Sequence, residues 1–115
     1  AGKKLFEEGR YEEAAEVLRG AVKSRKAEDA RKAQFLLGES LFAGKEYASA
    51  ALEFSEYRKK YSKDSLVPNA IYRQANAFRS MGKAKEAKLF YQELIEKFPK
   101  NSLAAKAKVE TKKLK

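Results

Sequence analysis

Carboxylates are the side chains of this sequence best suited to acid–base chemistry, and they come as neighbours: Glu7 and Glu8, Glu12 and Glu13, Glu28 and Asp29. On a helix, adjacent side chains point about 100° apart, so such pairs do not converge on one substrate atom. They read as solvated helix surface. The 115 residues include no His and no Cys. That excludes a Ser-His-Asp triad, an imidazole base, a thiol nucleophile, a disulfide framework and cysteine-ligated zinc. Carboxylates acting alone on a metal would need a clustered loop of the EF-hand kind, and none is present. Gly9, Gly44 and Gly82 stand singly, as turn glycines in left-handed helix caps rather than as a phosphate-cradling loop. The expectation is no catalytic residue, no metal ligand and no cofactor.

Recognition is the chemistry that remains. Phe35 and Phe42 are seven residues apart, two helical turns, and share a face with Lys32 and Glu39. Thirty-seven residues on, the same four positions hold Asn69, Tyr72, Asn76 and Arg79, with Arg73 beside them. The set Lys32, Phe35, Glu39, Phe42, Asn69, Tyr72, Arg73, Asn76 and Arg79 has the composition of a peptide groove, in which a few aromatic and Arg anchors carry the binding energy. The alternative is that Phe35 and Phe42 fill the interior of a tight superhelix. Phe54, Ile71, Phe78, Phe90, Tyr91 and Phe98 are assigned to the core between helices.

The elements that must position these residues are helices. Ala, Glu, Lys, Leu and Arg dominate, and period-2 alternation is not sustained, so the chain is expected to be all-α. Apolar stripes at spacings of three and four run over Tyr11–Val22, Lys45–Tyr61 and Ala84–Phe98, with a further helix over Ala27–Ala43 and a final one near Ser102–Leu114. Ser65 and Ser102 are the expected N-caps, and Pro68 fits a first helical turn.

Laid over one another, these segments repeat. Ala14, Ala50 and Ala87 are 36 and 37 residues apart, and each is followed four residues later by a large side chain, Leu18, Phe54 or Tyr91. Leu37-Gly38 falls on Gln74-Ala75, and the joint Lys60–Ser65 recurs as Lys97–Ser102. Each unit is a helix, a short turn and a helix. Small residues let the two backbones approach, and a large one fills the gap. One pair cannot bury its apolar face alone, so the units must stack. The expected divisions are a truncated first repeat at 1–26, repeats at 27–63 and 64–100, and a capping helix at 101–115.

The residues Leu37-Gly38, Gly44, Tyr47, Ala50 and Phe54, with Pro99 at a closing position, resemble a tetratricopeptide repeat (TPR). The period exceeds that family's usual ~34 residues. The resemblance implies a right-handed α-solenoid of antiparallel helix pairs, about seven helices in all, acting as a non-enzymatic protein-interaction module. Some members grip a C-terminal carboxylate with a Lys/Asn clamp. Arg73 stands at one clamp-like position, but Leu36 stands where an Asn would be needed, so that ligand is not expected. More narrowly, the joints Tyr61–Ala70 and Phe98–Ala105 and the run Phe35-Leu36-Leu37-Gly38-Glu39 resemble the C-terminal domain of the Tol-Pal-associated periplasmic family YbgF/CpoB. Similar joints occur in outer-membrane assembly lipoproteins of BamD type. The YbgF/CpoB resemblance implies a periplasmic location, a preceding coiled-coil segment, a TolA-type protein partner, and a part in envelope constriction during cell division.

Charge adds a rival. Lys and Arg number 26 against 16 Asp and Glu, a formal net charge of +10. Residues 97–115 supply +6 of it. Such a helix could meet phosphates or an anionic surface. It lacks the Arg and aromatic side chains that read or stack on bases, so nucleic acid is not the expected partner. A solvated capping helix explains the charge without a ligand. Apolar surface around Leu5 and Phe6 is expected at the truncated repeat, where it would favour self-association. No apolar run is long enough to span a membrane. The Ala1-Gly2-Lys3 start, without Met or a signal-peptide core, reads as a fragment of a longer chain.

Overall fold

A computed structural model describes residues 1–114. It contains seven helices: α1 (Gly2–Glu7), α2 (Tyr11–Ala21), α3 (Ala27–Ala43), α4 (Tyr47–Lys60), α5 (Val67–Ser80), α6 (Ala84–Lys97) and α7 (Ser102–Lys113). Each packs against the next in the chain, and the odd-numbered helices also touch one another: α1 with α3, α3 with α5, α5 with α7. The result is the expected TPR-type α-solenoid, 39 × 27 × 19 Å, with the odd helices as one layer and α2, α4 and α6 as the other.

The repeat seen in the sequence is a repeat of contacts. A Cβ built on Gly2 would lie 2.6 Å from Leu18, and one built on Gly38 would lie 2.7 Å from Phe54. The third pair by register is Ala75 and Tyr91, both fully buried. The small residue on the first helix lets the second approach, and the large residue fills the contact. Leu37, Leu41, Ala50, Tyr57, Ala70, Ile71 and Leu94 extend the same core. Phe78 and Phe90 stack at 5.2 Å between centroids but keep some exposure, as does Phe98.

The three tight turns share one geometry. The backbone N–H groups of Arg10, Glu46 and Lys83 donate to the carbonyls of Leu5, Leu41 and Phe78 at 2.9, 2.8 and 2.9 Å. This six-to-one bond closes a helix around a residue in the left-handed conformation. Gly9 and Gly82 occupy that position at φ 78° and 76°. In the middle turn the expectation of Gly44 is corrected: Gly44 has φ −81°, and Lys45 takes the left-handed place at φ 66°. The second turn carries its glycine one residue early. There the missing side chain serves proximity, since a Cβ would meet the Ser40 carbonyl at 3.3 Å and Tyr11 Cβ at 3.4 Å.

The joints between units also differ from expectation. Neither Ser65 nor Ser102 caps a helix. The Asp64 carboxylate accepts from Leu66 N–H at 3.2 Å ahead of α5, and the Asn101 side chain accepts from Leu103 N–H at 2.9 Å at the start of α7. The two acceptors are 37 residues apart, each one residue before the expected serine. Leu5 and Phe6 are half-buried rather than open: both pack on the core, and Phe6 meets the Tyr11 ring at 5.5 Å. No described helix is long and apolar enough to cross a membrane.

Candidate binding cleft

The odd-numbered helices α3, α5 and α7 enclose a cleft of about 250 Å³. It is lined by Phe35 and Glu39 from α3, Asn69, Tyr72 and Arg73 from α5, and Leu103 and Lys106 from α7. Five of the nine residues singled out in the sequence therefore meet in one place.

Each is held by its neighbours. Phe35 contacts Phe54 and Tyr57 edge-on, at 5.5 and 5.3 Å between ring centroids, yet stays half-exposed. It both packs the core and forms a wall of the cleft, so the two readings of this residue are compatible. Tyr72 leans on the buried Tyr91 ring at 6.0 Å. Arg73 Nε donates to Glu39 Oε1 at 2.7 Å, and its guanidinium lies 5.1 Å from the centre of the Phe42 ring. A cation over an aromatic face is attracted by the ring quadrupole. Phe42 is itself braced edge-on by Tyr47 at 5.4 Å. Phe42 thus stands behind Arg73 as a platform and does not line the cleft.

Three further residues lie elsewhere. Lys32 is exposed and pairs with Glu28 at 3.3 Å, one turn back on its own helix. Asn76 was expected on the groove surface. It is only 6% exposed, and its side-chain oxygen accepts from the Tyr91 hydroxyl. Its position satisfies a buried phenol instead of meeting a ligand. Arg79 points to α7 and forms an ion pair with Glu110, which ties the last helix to α5.

Sequence reasoning treats α7 as a solvated cap and so leaves out Leu103 and Lys106. A signal was present. Lys106 follows Asn69 by 37 residues, so carrying the register one unit further places it beside the groove.

The electrostatics of the cleft are uneven. Glu39 is engaged by Arg73, whereas Lys106 has no acidic partner among the described residues. A cation, a half-neutralised Arg, an amide and three apolar walls make a surface suited to a peptide that offers one apolar side chain and one negative charge. No grouping of three or more Asp or Glu side chains able to hold a metal occurs among the described residues.

Away from the cleft, polar ties bind the layers. Gln34 Nε2 donates to the Glu53 carbonyl at 2.8 Å, and Arg58 donates to Gln74 Oε1 at 2.8 Å while also pairing with Glu93. Burial pushes the Glu93 carboxyl up, but hydrogen bonds from Arg58 and Lys97 outweigh it and hold the group below its ordinary value. The Tyr57 hydroxyl is pushed well above its usual range, by burial first and then by donating to Asp64. Asp64 is lowered by that same bond, with help from Leu66 N–H and Arg31.

Compared with known families, residues 1–65 match one model of the tetratricopeptide repeat and residues 69–101 match a second. No curated protein matches the chain.

Proposed function

Since the chain belongs to the tetratricopeptide repeat family, whose repeats generally mediate protein–protein interaction, we propose that it is a non-enzymatic docking module that holds a segment of a protein partner in the cleft between α3, α5 and α7. The observation that carries this reading is the convergence of Phe35, Tyr72, Arg73, Leu103 and Lys106, from two repeats and the final helix, on one concavity. Phe35, Tyr72 and Leu103 supply apolar contact. Asn69, Arg73 and Lys106 set register and charge.

The finer reading is a partner of TolA type in the cell envelope, with a periplasmic location and a part in constriction during division. Its support is the resemblance of the Tyr61–Ala70 and Phe98–Ala105 joints to the YbgF/CpoB family. A pull-down from envelope extract tests both levels, comparing the wild-type domain with Arg73→Ala and with Lys106→Glu. Loss of a captured protein in either variant, with the helical spectrum unchanged, supports the cleft. Equal capture by all three removes it, and capture of proteins other than TolA removes the finer reading alone.

A second reading, self-association, rests on Leu52 and Leu89. These residues are 37 apart on α4 and α6 and are 62% and 66% exposed. Sedimentation at several concentrations separates a self-associating scaffold from a monomeric binder.

A further inference from the structure

A second cleft, sharing no residue with the first, opens where the end of α4, the start of α5 and the end of α6 meet. It encloses about 370 Å³, within the ~300–1,000 Å³ typical of ligand sites. Its floor is apolar: Val67 and Ile71 from the core, and the half-buried Phe98 ring. Its rim is basic, with Arg58, Lys59 and Lys97. On α5, Ile71 and Asn69 are two residues apart and so point about 160° from each other, which puts the two clefts on opposite sides of that helix.

The charges around this second cleft do not cancel. Glu93 lies between Arg58 and Lys97 and pairs with both, so one carboxylate serves two cations. Glu56 reaches Lys59 only at 3.8 Å, with the lysine 72% exposed. Asp64 is engaged by Arg31 and by the Tyr57 hydroxyl. Through Ser62, which lines both, the cleft continues into a shallower depression flanked by Lys60 and Lys63. Neither of these lysines has an acidic partner among the described residues. An apolar floor inside an uncompensated ring of cations is complementary to an apolar side chain flanked by carboxylates.

We propose that this cleft is a second docking site, taking an acidic protein segment that inserts one large apolar side chain. The inserted side chain covers the exposed part of Phe98 above Ile71. Its flanking carboxylates meet Lys59 and Lys63, which no internal ion pair holds firmly. This site goes beyond the concave cleft and does not depend on it.

The test is a titration of the isotope-labelled protein, followed by amide NMR, with the end-blocked peptide Asp-Glu-Phe-Leu-Glu-Asp. The expected result is shifts at Lys59, Ser62, Ile71 and Phe98, whether or not Asn69 and Leu103 also move, and weaker binding as salt rises from about 50 to about 300 mM. Replacing the central Phe-Leu by Ser-Ser is expected to weaken binding about tenfold. Lys59→Glu combined with Lys63→Glu is expected to do the same; both side chains are exposed, and an unchanged circular-dichroism melt would show the fold intact. If that variant unfolds, the shift map and the Ser-Ser control on the native protein decide the matter. The proposal is overturned by no shifts at low salt, by shifts confined to the concave cleft, by equal binding of the Ser-Ser peptide, or by a short single-stranded DNA displacing the peptide at equal concentration. Lys106→Glu serves as the separating control. It is expected to leave the shifts at Lys59, Ser62, Ile71 and Phe98 in place and to remove any at Asn69 and Leu103, so failure of either cleft can be told from failure of the other.

Discussion

Gly38 on α3 and Phe54 on α4 are matched so closely that a methyl group on Gly38 would lie 2.7 Å from Phe54 Cε1. Phe54 is fully buried, so its ring has no open space to move into. Gly38→Ala gains about 1 kcal/mol of helix propensity but overpacks the contact by about 1–3 kcal/mol. A net loss of up to about 2 kcal/mol is expected from urea unfolding. Pairing it with Phe54→Leu should recover part of that loss. If the two substitutions prove simply additive, the contact is not the cause.

Lys45 occupies a left-handed backbone position that its two counterparts give to Gly9 and Gly82. A side chain there costs about 1–2 kcal/mol, partly offset by the greater freedom of glycine in the unfolded chain. Lys45→Gly should therefore raise stability by up to about 1 kcal/mol. Gly82→Ala should lower it by about 1 kcal/mol or more. Thermal melts of the two variants, moving in opposite directions, check the turn geometry.

The buried pair of Tyr91 and Asn76 is a satisfied one. Tyr91→Phe leaves the Asn76 side chain without its donor in the core, at a cost of about 1–3 kcal/mol. Partner affinity should not change, since Asn76 faces away from the cleft. A matched melt and binding isotherm test both halves of this statement.

Acid should loosen the joint between α4 and α5. The folded-state value of Asp64 is lowered, so the unfolded chain binds more protons between the two values. Stability then rises with pH, is fully present above the ordinary carboxylate value, and is lost as pH falls through the lowered one. Glu93 acts in the same direction. Asp64→Asn keeps an acceptor for Leu66 N–H, as Asn101 does for Leu103, but removes the titrating charge. Its stability should be lower at neutral pH and flatter below about pH 4. An unfolding series from neutral to acid pH, with the two curves parallel, would refute the role given to Asp64.

In the concave cleft, Lys106→Glu should weaken binding of the protein partner at least about tenfold, within the range of a binding anchor. Phe42→Ala should weaken it less, by loosening the platform under Arg73. Lys32→Ala should leave it within about twofold, because this side chain lies outside the cleft. Calorimetry with the captured partner ranks the three, and an equal effect of Lys32→Ala would place the site elsewhere.

The helices and their pairing were legible from residue order alone. Helix periodicity and the small–large pairs are local in register: Gly38 with Phe54, and Ala75 with Tyr91, stand 16 residues apart within one helix–turn–helix. Ala27–Ala43 matches its observed bounds and the expected Ala84–Phe98 overruns by one residue, because a tight turn with a fixed hydrogen-bonding pattern ends the first and precedes the second. Capping was legible only to within one residue, since Asp64, Ser65, Asn101 and Ser102 can all accept a backbone N–H and the sequence does not say which oxygen reaches it.

What sequence alone determined was the inventory: no imidazole or thiol, repeated helical pairs, and an aromatic and basic face on the first helix of each pair. The tertiary structure decided which of those side chains remain available. Asn76 and Arg79 carry polar groups that fit a groove, yet a buried phenol claims one and Glu110 the other. Lys106, set aside with its helix as solvated surface, became part of the cleft because stacking brings α7 against α5. Periodicity reports which face of a helix a residue occupies. It does not report the neighbour that stacking places there, because that neighbour lies a whole repeat away in the chain and its hydrogen-bonding and charge complementarity exist only once the layers have closed.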